Sequence, residues 1–430
     1  MPQFLQLLRN PLSIQILISI TLCLLLAFLK VPVLFLQGLR TYIHPDSVPN
    51  RGNGAVKAAI RRPSAGNDPQ PGLRERTTGS SKGKDHHKFD ELNSQIFRLK
   101  LDEGHLQTRI FFDDYRYCFI NSSLALSVMA AHRFLHSKDG KLGEGDPMVP
   151  LILGFVSIFK TLVSLAKCSA ESSASRSSEK QISLGLGSLG FLCGLSVCFG
   201  ALSSILDFEL SDIDSLSLRI SFAILMGISA GLLYVPAARN AKSFWIGTDQ
   251  NRSNLDTISS GKIGRYILYT NFLVGVVSVS VWVTTVSSNF PQIGGLEIGK
   301  IRVIGLLVSG AMQLIGLRSN LQMYLNEALL SWYQRLHTSK VPDLAFSRAK
   351  VFLHNHYLCL AVIQFLGPPL LILGFLGLSQ VHGSSSAFVM IPCSSFPKMC
   401  LVMAWWVLFV WEAITMAHLW LHRCGILLVS

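Results

Sequence analysis

The sequence predicts an all-α polytopic membrane protein: a bundle of about nine transmembrane helices with a short cytosolic β-hairpin element. Half of the 430 residues are apolar and 15% are charged, whereas soluble proteins carry about a quarter charged residues. The Lys and Arg residues are gathered in a few hydrophilic stretches between long apolar runs. A net charge of +13 arranged in this way indicates membrane topology and contact with lipid headgroups. It does not indicate a nucleic-acid partner.

Nine apolar segments approach or exceed the length of about twenty residues that crosses the hydrocarbon core of a bilayer. The second is the most polar, because Asn121 and several serines interrupt it. The first is predicted to be an uncleaved anchor, since its apolar run exceeds that of a signal peptide and no A-x-A site follows. In chain order the nine are 12–36, 117–134, 148–166, 182–206, 218–236, 266–287, 301–317, 357–378 and 399–421.

The hydrophilic segments divide the chain into parts. The segment 38–92 is rich in Pro, Gly, Ser and basic residues, which predicts disorder. In 93–115, apolar and polar residues alternate on both sides of "DEG", which predicts a β-hairpin that packs near the membrane surface. The predicted organisation is a first transmembrane anchor (1–37), a disordered basic cytosolic loop (38–92), a hairpin-like segment (93–115), transmembrane helices 2–7 (116–317), a cytosolic interfacial amphipathic helix (318–356), and helices 8 and 9 with a short tail (357–430).

Charge sets the predicted orientation. The segments 237–265 and 318–356 each contain five Lys or Arg residues, whereas 207–217 contains four acids and no Lys or Arg. Basic loops favour the cytoplasm. With nine spans, both basic segments fall on one side, so we predict an exoplasmic N-terminus and a cytosolic C-terminus. Glycosylation at Asn251, in the sequon "NRS", would reverse this orientation.

Polar side chains inside the apolar runs are the candidate functional residues. Lys160 and Glu412 are mid-membrane and of opposite sign, so we expect them to pair, or Glu412 to be protonated. Asn271, Gln313 and Gln364 also lie at membrane depth. Two interpretations stay open: a structural ion pair, and a proton or cation path through the bundle.

Two glycine motifs match enzyme fingerprints without their context. "GLGSLG" (185–190) matches a dinucleotide-binding pattern and "GISAG" (227–231) matches a nucleophile elbow. Both patterns require a strand before a helix, and both segments lie inside apolar spans. Close helix packing is therefore the predicted role of these glycines. We expect the protein not to be an enzyme, with an intramembrane enzyme as the remote alternative.

Prolines are predicted to interrupt two spans. Gly-Pro-Pro (367–369) in the eighth span predicts a break or sharp kink, interpreted as a packing device more than an ion site. Pro236 is predicted to end the fifth span.

Cysteine and histidine patterns predict no cofactor and no metal. Cys393 and Cys400 flank a polar loop where a bridge is possible, and the other cysteines read as small apolar residues. The histidine pairs at 86–87 and 354/356 lack a Cys or carboxylate cluster at ligand spacing.

Several short segments resemble one family. "LRSNLQMYL" (317–325), followed by "VFLHNHYLCLAVIQFLGPPLLIL" (351–373), resembles the signature of the transmembrane protein 161 family, the A/B type polytopic proteins of animals and plants. The resemblance suggests a plant-type member. Shorter matches, spread over nearly the whole chain, are "LRTYIHP" (39–45), "FRLKLDEGHLQTRIFF" (97–112), "FKTLVSL" (159–165), "VPAAR" (235–239), "NFL" (271–273) with "WV" (282–283), and "WW" (405–406).

The resemblance implies a multi-pass protein with no established reaction, substrate or cofactor. Animal members of the family are associated with cellular excitability and stress tolerance. Glu412 departs from the family pattern in the last span, so a pair with Lys160 would not be a shared mechanism. Residues at matching positions include Lys160, Arg239, Asn271, Arg318 and Tyr324.

The predicted function is a non-enzymatic regulator or scaffold of membrane processes, with ion homeostasis or stress response as its setting. The alternative is a transporter or channel whose polar path lies near Lys160, Asn271, Gln364 and Glu412. The expected partners are the lipid bilayer and other membrane proteins, and the type of membrane stays open. A polar cavity at the midplane would favour transport. A dry interior with an outer apolar groove would favour the scaffold.

Overall fold

The computed structural model describes residues 11–44, 57–60, 96–138, 148–171, 177–208, 215–248, 261–285, 292–293, 296–338, 344–381 and 395–427. Asn251, His86, His87 and Cys393 lie outside these residues. Cys400 is buried as a free thiol. Seven described helices are long and apolar enough to cross a membrane, which confirms an all-α, multi-pass integral membrane protein.

The helices that correspond to the nine predicted spans differ in length and in polarity. The seven spans are α5 to α9, α11 and α12. The other two predicted spans correspond to α1, which is apolar but shorter, and to α4, which is more polar, so the predicted number of nine is approximate. The elements are α1 (Pro11–Phe28), α2 (Val31–Leu36), β1 (Arg40–Ile43), β2 (Lys57–Ile60), β3 (Ile96–Lys100), α3 (Glu103–Gln107), α4 (Phe112–Lys138), α5 (Met148–Ala170), α6 (Ser177–Cys198), α7 (Leu216–Thr248), α8 (Lys262–Ser280), β4 (Gln292–Ile293), β5 (Leu296–Glu297), α9 (Ile298–Thr338), α10 (Ala345–His356), α11 (Leu358–Ser379) and α12 (Phe396–Arg423).

Helix α11 lies at the centre of the bundle. Nearly all of its residues are buried, and it packs against α4, α5, α9 and α12. It continues through Pro368 and Pro369, so the predicted break is not present. Likewise, Pro236 lies inside α7 and does not end it. In a bilayer every unpaired backbone group is costly, which favours keeping the rest of the hydrogen-bond ladder around a proline.

A small antiparallel sheet is present, but its strands are not those of the predicted hairpin. The central strand β3 pairs with β1 on one side and β2 on the other. Both partners come from the segment 38–92 that was predicted to be disordered. Helix α3 begins within "DEG", at Glu103, and its Leu106 is fully buried. The alternation of apolar and polar residues correctly predicted an extended strand at β3. The two strands that pair with β3 were not predicted, because they are distant in the sequence and carry little local signal.

Helix α9 is one uninterrupted helix of 41 residues, about 60 Å long at 1.5 Å per residue. Its second half was predicted to lie along the membrane interface. In the structure it continues from the span without interruption and is buried among β1, α7 and α10; its position relative to the membrane interface stays a prediction. We refer to the end of the bundle that carries β1–β3 and α10 as the sheet end, and to the opposite end as the far end.

The described charges are distributed unequally between these ends. Lys242 and Lys350 lie at the sheet end, in contact with α9. Asp207 lies at the far end, where its backbone pairs with Trp282. The orientation in the membrane was predicted from this difference in charge. Which end faces the cytosol stays a prediction.

The glycines of the two enzyme-like motifs pack α6 against α7. A side chain at Gly227 would place its Cβ 2.8 Å from the carbonyl oxygen of Gly187, and one at Gly190 would lie 2.7 Å from the Cβ of Ala230. Ser229, at the centre of "GISAG", donates its hydroxyl to the carbonyl of Met226 at 2.9 Å. The motifs therefore serve close helix approach, as predicted.

Candidate functional site: a polar column between three helices

One face of α9 is polar over most of its length. The polar side chains follow each other at intervals of three, four or seven residues, which places them on a single helix face. Gly305 and Gly316 lie on the same face. From Ser309 onwards this face is buried inside the protein. Its polar members are Arg302, Ser309, Gln313, Asn320, Tyr324, Glu327 and Ser331.

Helices α8 and α12 turn polar residues towards this face. The hydroxyl of Ser278 on α8 donates to the carbonyl of Gly305 at 3.0 Å. One turn and two turns away on the same face of α8 lie Gly275 and Asn271. The amide of Asn271 lies beside α9 at Gly316, where an added Cβ would be in ordinary contact with Nδ2 at 3.8 Å.

Glu412 enters the same junction from α12. Its side chain is 5% exposed, and a Cβ at Gly275 would lie 2.0 Å from its Oε1 atom. The carboxyl group therefore fits only because residue 275 is a glycine.

A hydrogen-bonded chain begins near Glu412 and leads towards the sheet end. Thr415 lies three residues further along α12, on the same face. Its hydroxyl accepts from Asn240 of α7 at 3.4 Å, and the Oδ1 atom of Asn240 accepts from Asn320 of α9 at 3.0 Å. We refer to the following buried residues as the polar column: Asn240, Asn271, Ser278, Ser309, Gln313, Asn320, Glu412 and Thr415.

The polar column contains six buried side-chain atoms without a hydrogen-bond partner in the described part of the chain. Each such atom costs about 1–3 kcal/mol, so together they approach the whole free energy of unfolding of an ordinary domain, about 5–15 kcal/mol. Groups of this kind are normally solvated by water or used in function. The atoms are Oδ1 of Asn271 and Asn320, Oγ of Ser309, Oε1 and Nε2 of Gln313, and Oε2 of Glu412.

The predicted pair of Lys160 and Glu412 does not form. Lys160 is exposed on the outer face of α5, whose buried face carries Ser157, Thr161 and Ser164. A lysine on that face can extend its stem along the lipid towards the interface. Glu412 is buried against α8, so the two side chains lie on different surfaces.

The amides predicted at membrane depth divide into two groups. Asn271 and Gln313 belong to the polar column. Gln364 is also buried, on α11, and its Oε1 atom has no hydrogen-bond partner among the described residues. None of its described contacts joins it to Glu412 or Asn271.

At the sheet end, the polar face of α9 finishes in a charged cluster around Glu327. Its Oε1 atom lies 2.7 Å from Nζ of Lys242, 3.2 Å from Nζ of Lys350 and 3.7 Å from Nε2 of His354. These groups come from α7 and α10. The two ammonium groups favour the ionised carboxylate electrostatically. We refer to these four residues as the Glu327 cluster.

Tyr324 and Arg239, two positions shared with the family signature, adjoin this cluster. The ring of Tyr324 stacks on His354 with a centroid distance of 4.6 Å. The guanidinium of Arg239 lies 5.8 Å from the centre of the Tyr324 ring. Arg318, a third such position, is exposed and donates to the carbonyl of Gln37 at 2.9 Å, which attaches α9 to the segment before β1.

The sheet is attached to α9 by side chains next to the Glu327 cluster. The side-chain amide of Gln322 makes the two hydrogen bonds that the backbone of a neighbouring strand would make. Its Oε1 accepts from the backbone N–H of Arg40 at 3.0 Å, and its Nε2 donates to the Arg40 carbonyl at 3.1 Å. The hydroxyl of Tyr42 donates to Oδ1 of Asn326 at 2.9 Å. Burial raises the pKa of Tyr42 to about 12, so this donor keeps its proton at physiological pH.

Aromatic rings close the far end. Phe208 lies between Trp282 and Trp405, with centroid distances of 5.5 and 4.8 Å. Arg302 binds Asp207 at 2.7 Å and places its guanidinium 4.9 Å from the Trp282 ring. Trp405 lies two turns from Glu412 on α12, about 10 Å along the helix. We refer to Phe208, Trp282 and Trp405 as the aromatic cluster.

Sequence reasoning missed several residues of the site. Ser309, Asn320 and Glu327 recur on α9 at helical spacing, and a search for polar periodicity across the span boundary would have found them. The predicted division of this helix at residue 317 hid the pattern. Asn240 and Thr415 carry no comparable signal, because their pairing depends on helices distant in the sequence.

The fold and the polar column together define a polytopic, all-α membrane protein with an ionisable group in its interior. Residues 211–414 match the family model described as predicted transmembrane protein 161AB. This part of the chain belongs to the transmembrane protein 161A/B family, which confirms the resemblance found in the sequence. The match contains every residue of the polar column except Thr415. No curated protein and no solved structure matches the chain.

Proposed function

We propose that this protein moves a proton or another small cation through the polar column, with Glu412 as the ionisable centre, and that it acts in ion homeostasis. The observation that carries the proposal is the carboxyl group of Glu412. It is buried near the middle of α12, and its Oε2 atom has no hydrogen-bond partner in the described residues. Ionisable groups in such positions are typical of ion pathways and proton relays.

A purely structural role explains this carboxyl group poorly. A buried acid contributes to stability when a cation or several hydrogen bonds compensate its burial. Lys160 is exposed on another helix, and Lys242 and Lys350 bind Glu327 instead. A side chain needed only for its volume would lose little by being apolar.

The neighbours of Glu412 support the proposal through their arrangement. Asn271 and Gln313 carry unsatisfied amide atoms, so they are suited to bind water beside the carboxyl group. Thr415, Asn240 and Asn320 then continue as hydrogen-bonded groups towards the sheet end. Polar groups thus extend from the middle of the bundle to one of its ends.

The decisive experiment is reconstitution into liposomes with proton, K⁺ and Ca²⁺ flux measured separately. We expect ion flux with the native chain and an at least tenfold lower flux with Glu412→Gln, which keeps the shape and removes the titratable group. Glu297→Gln is the matched control, since that acid is 72% exposed, and we expect it to leave the flux unchanged. Equal flux in the native chain and Glu412→Gln, or none in either, would refute the proposal.

A second candidate function is the non-enzymatic regulator or scaffold of other membrane proteins. It is favoured by an outward-facing apolar groove of about 650 Å³ between α6 and α7, lined by the exposed side chains of Leu184, Ile224 and Ile228. A helix of a partner protein could pack into such a groove within the bilayer. Neither candidate includes an enzymatic reaction.

A flux measurement separates the two candidates, and a cross-linking measurement then tests the second. Ser188 is exposed and lines the groove. With Ser188→Cys in a native membrane, a scaffold predicts a discrete cross-linked product. Lys160→Cys, on the outer face of α5, is the control and should yield none. Absence of flux for all three ions together with a groove-specific product would assign the scaffold role.

A further inference from the structure

We infer that the ion carried by the polar column is the proton, and that the column excludes Na⁺, K⁺ and Ca²⁺. The inference rests on the proposed function and names its substrate class. It follows from three features of the column: how closely its helices pack, which oxygen atoms it offers, and which helices stay continuous.

Close packing leaves little space beside the carboxyl group. At Gly275 the backbone of α8 comes so near that an added Cβ would lie 2.0 Å from Oε1 of Glu412. At Gly305 an added Cβ would lie 3.2 Å from the hydroxyl of Ser278. A metal cation would need several oxygen ligands around it, six to eight in the case of Ca²⁺. A proton needs a single lone pair and a water molecule within hydrogen-bonding distance.

The chemistry of the column also favours a proton. Glu412 is its one carboxylate, and its other members are amides and hydroxyls. Sites for Ca²⁺ and Mg²⁺ combine carboxylates with further oxygen ligands. Amides and hydroxyls both donate and accept hydrogen bonds, so they can order water along the column.

Metal-ion carriers often obtain their ligands from backbone carbonyls of broken helices near the bilayer midplane. In this protein α7 and α11, which have prolines in their interior, run without interruption through Pro236 and through Pro368 and Pro369. Helices α8, α9 and α12, which surround the column, are also continuous, so their backbone hydrogen bonds are not interrupted. Their carbonyl oxygens are therefore occupied within the helices, and side chains provide the polar groups of the column.

The transfer step is a reversible protonation of Glu412. The carboxylate takes a proton from a hydronium ion on one side: an O–H bond of the hydronium ion breaks, an O–H bond forms on Glu412, and a water molecule is left. The neutral acid later gives that proton to a water molecule on the other side, where its O–H bond breaks and a hydronium ion forms. No other covalent bond changes. The membrane potential or the pH difference drives net transfer, so no co-reactant is needed.

The test uses the full-length chain in liposomes that contain a pH-sensitive dye, with a K⁺ diffusion potential as the driving force. Parallel vesicles contain dyes for Na⁺, K⁺ or Ca²⁺. We expect proton flux that falls at least tenfold in Glu412→Gln and in Gln313→Leu. Gln15→Leu is the matched control, because Gln15 is a buried amide on α1 whose side chain is hydrogen-bonded with His132 of α4; its proton flux should equal that of the native chain.

The outcomes separate the inference from the proposed function. Proton flux sensitive to Glu412 and Gln313 but not to Gln15, without metal-ion flux, supports both. Metal-ion flux that Glu412→Gln abolishes would overturn the proton inference and leave the proposed function standing. Loss in Gln15→Leu equal to that in Gln313→Leu would overturn the assignment of the path to the column. A native chain without flux of any ion would overturn both. Size-exclusion profiles of each variant exclude misfolding as the cause of a loss.

Discussion

The two ends of the polar column are built from different chemistry. At the far end, Phe208, Trp282 and Trp405 pack ring against ring, and Arg302 joins them by stacking on Trp282. At the sheet end the amides of Asn240 and Asn320 are followed, on the same face of α9, by Tyr324 and the Glu327 cluster, in which three groups surround one carboxylate oxygen. One end is closed by apolar surface, whereas the other is polar from the interior outwards.

This difference indicates where movement is needed for ion transfer. Amides and hydroxyls can pass a proton along ordered water with small rotations of their side chains. Aromatic rings offer no such chain, so transfer at the far end requires the rings to separate. We therefore expect the sheet end to exchange protons with Glu412 readily and the far end to control passage. The following predictions test this comparison, from the largest expected effect to the smallest.

The largest effect is expected from Glu327→Gln. The substitution leaves Lys242 and Lys350 beside a neutral amide, with side chains 32% and 13% exposed. Removing one partner of a buried ion pair destabilises by about 3–5 kcal/mol. Chemical unfolding of the purified protein measures the loss. The control is Glu297→Gln, whose exposed pair with Lys300 should contribute less than about 0.5 kcal/mol. Similar small changes in both variants would show that the Glu327 cluster is solvated like a surface pair.

The second prediction concerns Gly275, which lies between the two ends of the column, and uses the substitution Gly275→Ala. The new methyl group would displace the carboxyl group of Glu412, which is the flexible end of its side chain. We expect flux to fall about tenfold, equivalent to about 1.4 kcal/mol, with little change in stability. Gly185→Ala is the control, since nothing lies within 4 Å of its added Cβ. Unchanged flux in Gly275→Ala would mean that the position of the carboxyl group is unimportant.

The third prediction weakens the far end with Arg302→Met. The change removes the contact with the Trp282 ring and the pair with Asp207, which is 40% exposed and therefore partly screened. We expect a loss of about 1 kcal/mol in stability and faster proton flux. Lys300→Met, two residues away and 65% exposed, should change neither quantity. Slower flux in Arg302→Met would contradict a closing role for this end.

The smallest effect is expected from Tyr42→Phe, which loosens the sheet from α9. Loss of the hydrogen bond to Asn326 should cost about 1 kcal/mol in a thermal unfolding experiment. Burial raises the pKa of Tyr42 from 10.0 to about 12, so the contribution of the neutral hydroxyl is complete below pH 10 and is lost as the pH rises through 12. The difference between the native chain and Tyr42→Phe should narrow over that range. Tyr117→Phe, at an exposed tyrosine, is the control.

Hydropathy was a good guide to the spans and a poor guide to their ends. The apolar run 301–317 predicted a span, yet α9 continues to Thr338 because tertiary contacts with β1 and α10 bury its second half. Pro236 predicted the end of a helix, yet α7 continues for twelve further residues to Thr248. Local signals describe the backbone preference of a few residues, and packing overrides them where neighbours cover both sides of a helix.

The candidate site was predictable in part. Asn271, Gln313 and Glu412 were identified because amides and acids are rare at membrane depth. Their grouping was not predictable, since it depends on which faces of α8, α9 and α12 meet. Lys160 satisfied the same sequence criterion as Glu412 and yet lies on an outer surface. A sequence shows that a polar residue is in the membrane; it does not show which neighbour it faces.

By itself, the sequence determined the class of protein, the approximate positions of the spans, the family and the presence of an acid in the last span. The class, the spans and the acid follow from composition and hydropathy, which act within one helix at a time, and the family follows from the resemblance of short segments. Tertiary structure decided that the acid meets a glycine of α8 and does not meet Lys160, and that distant strands form the sheet. Such pairings depend on the relative rotation of separate helices, and the free energy of their contacts is shared among residues far apart in the chain.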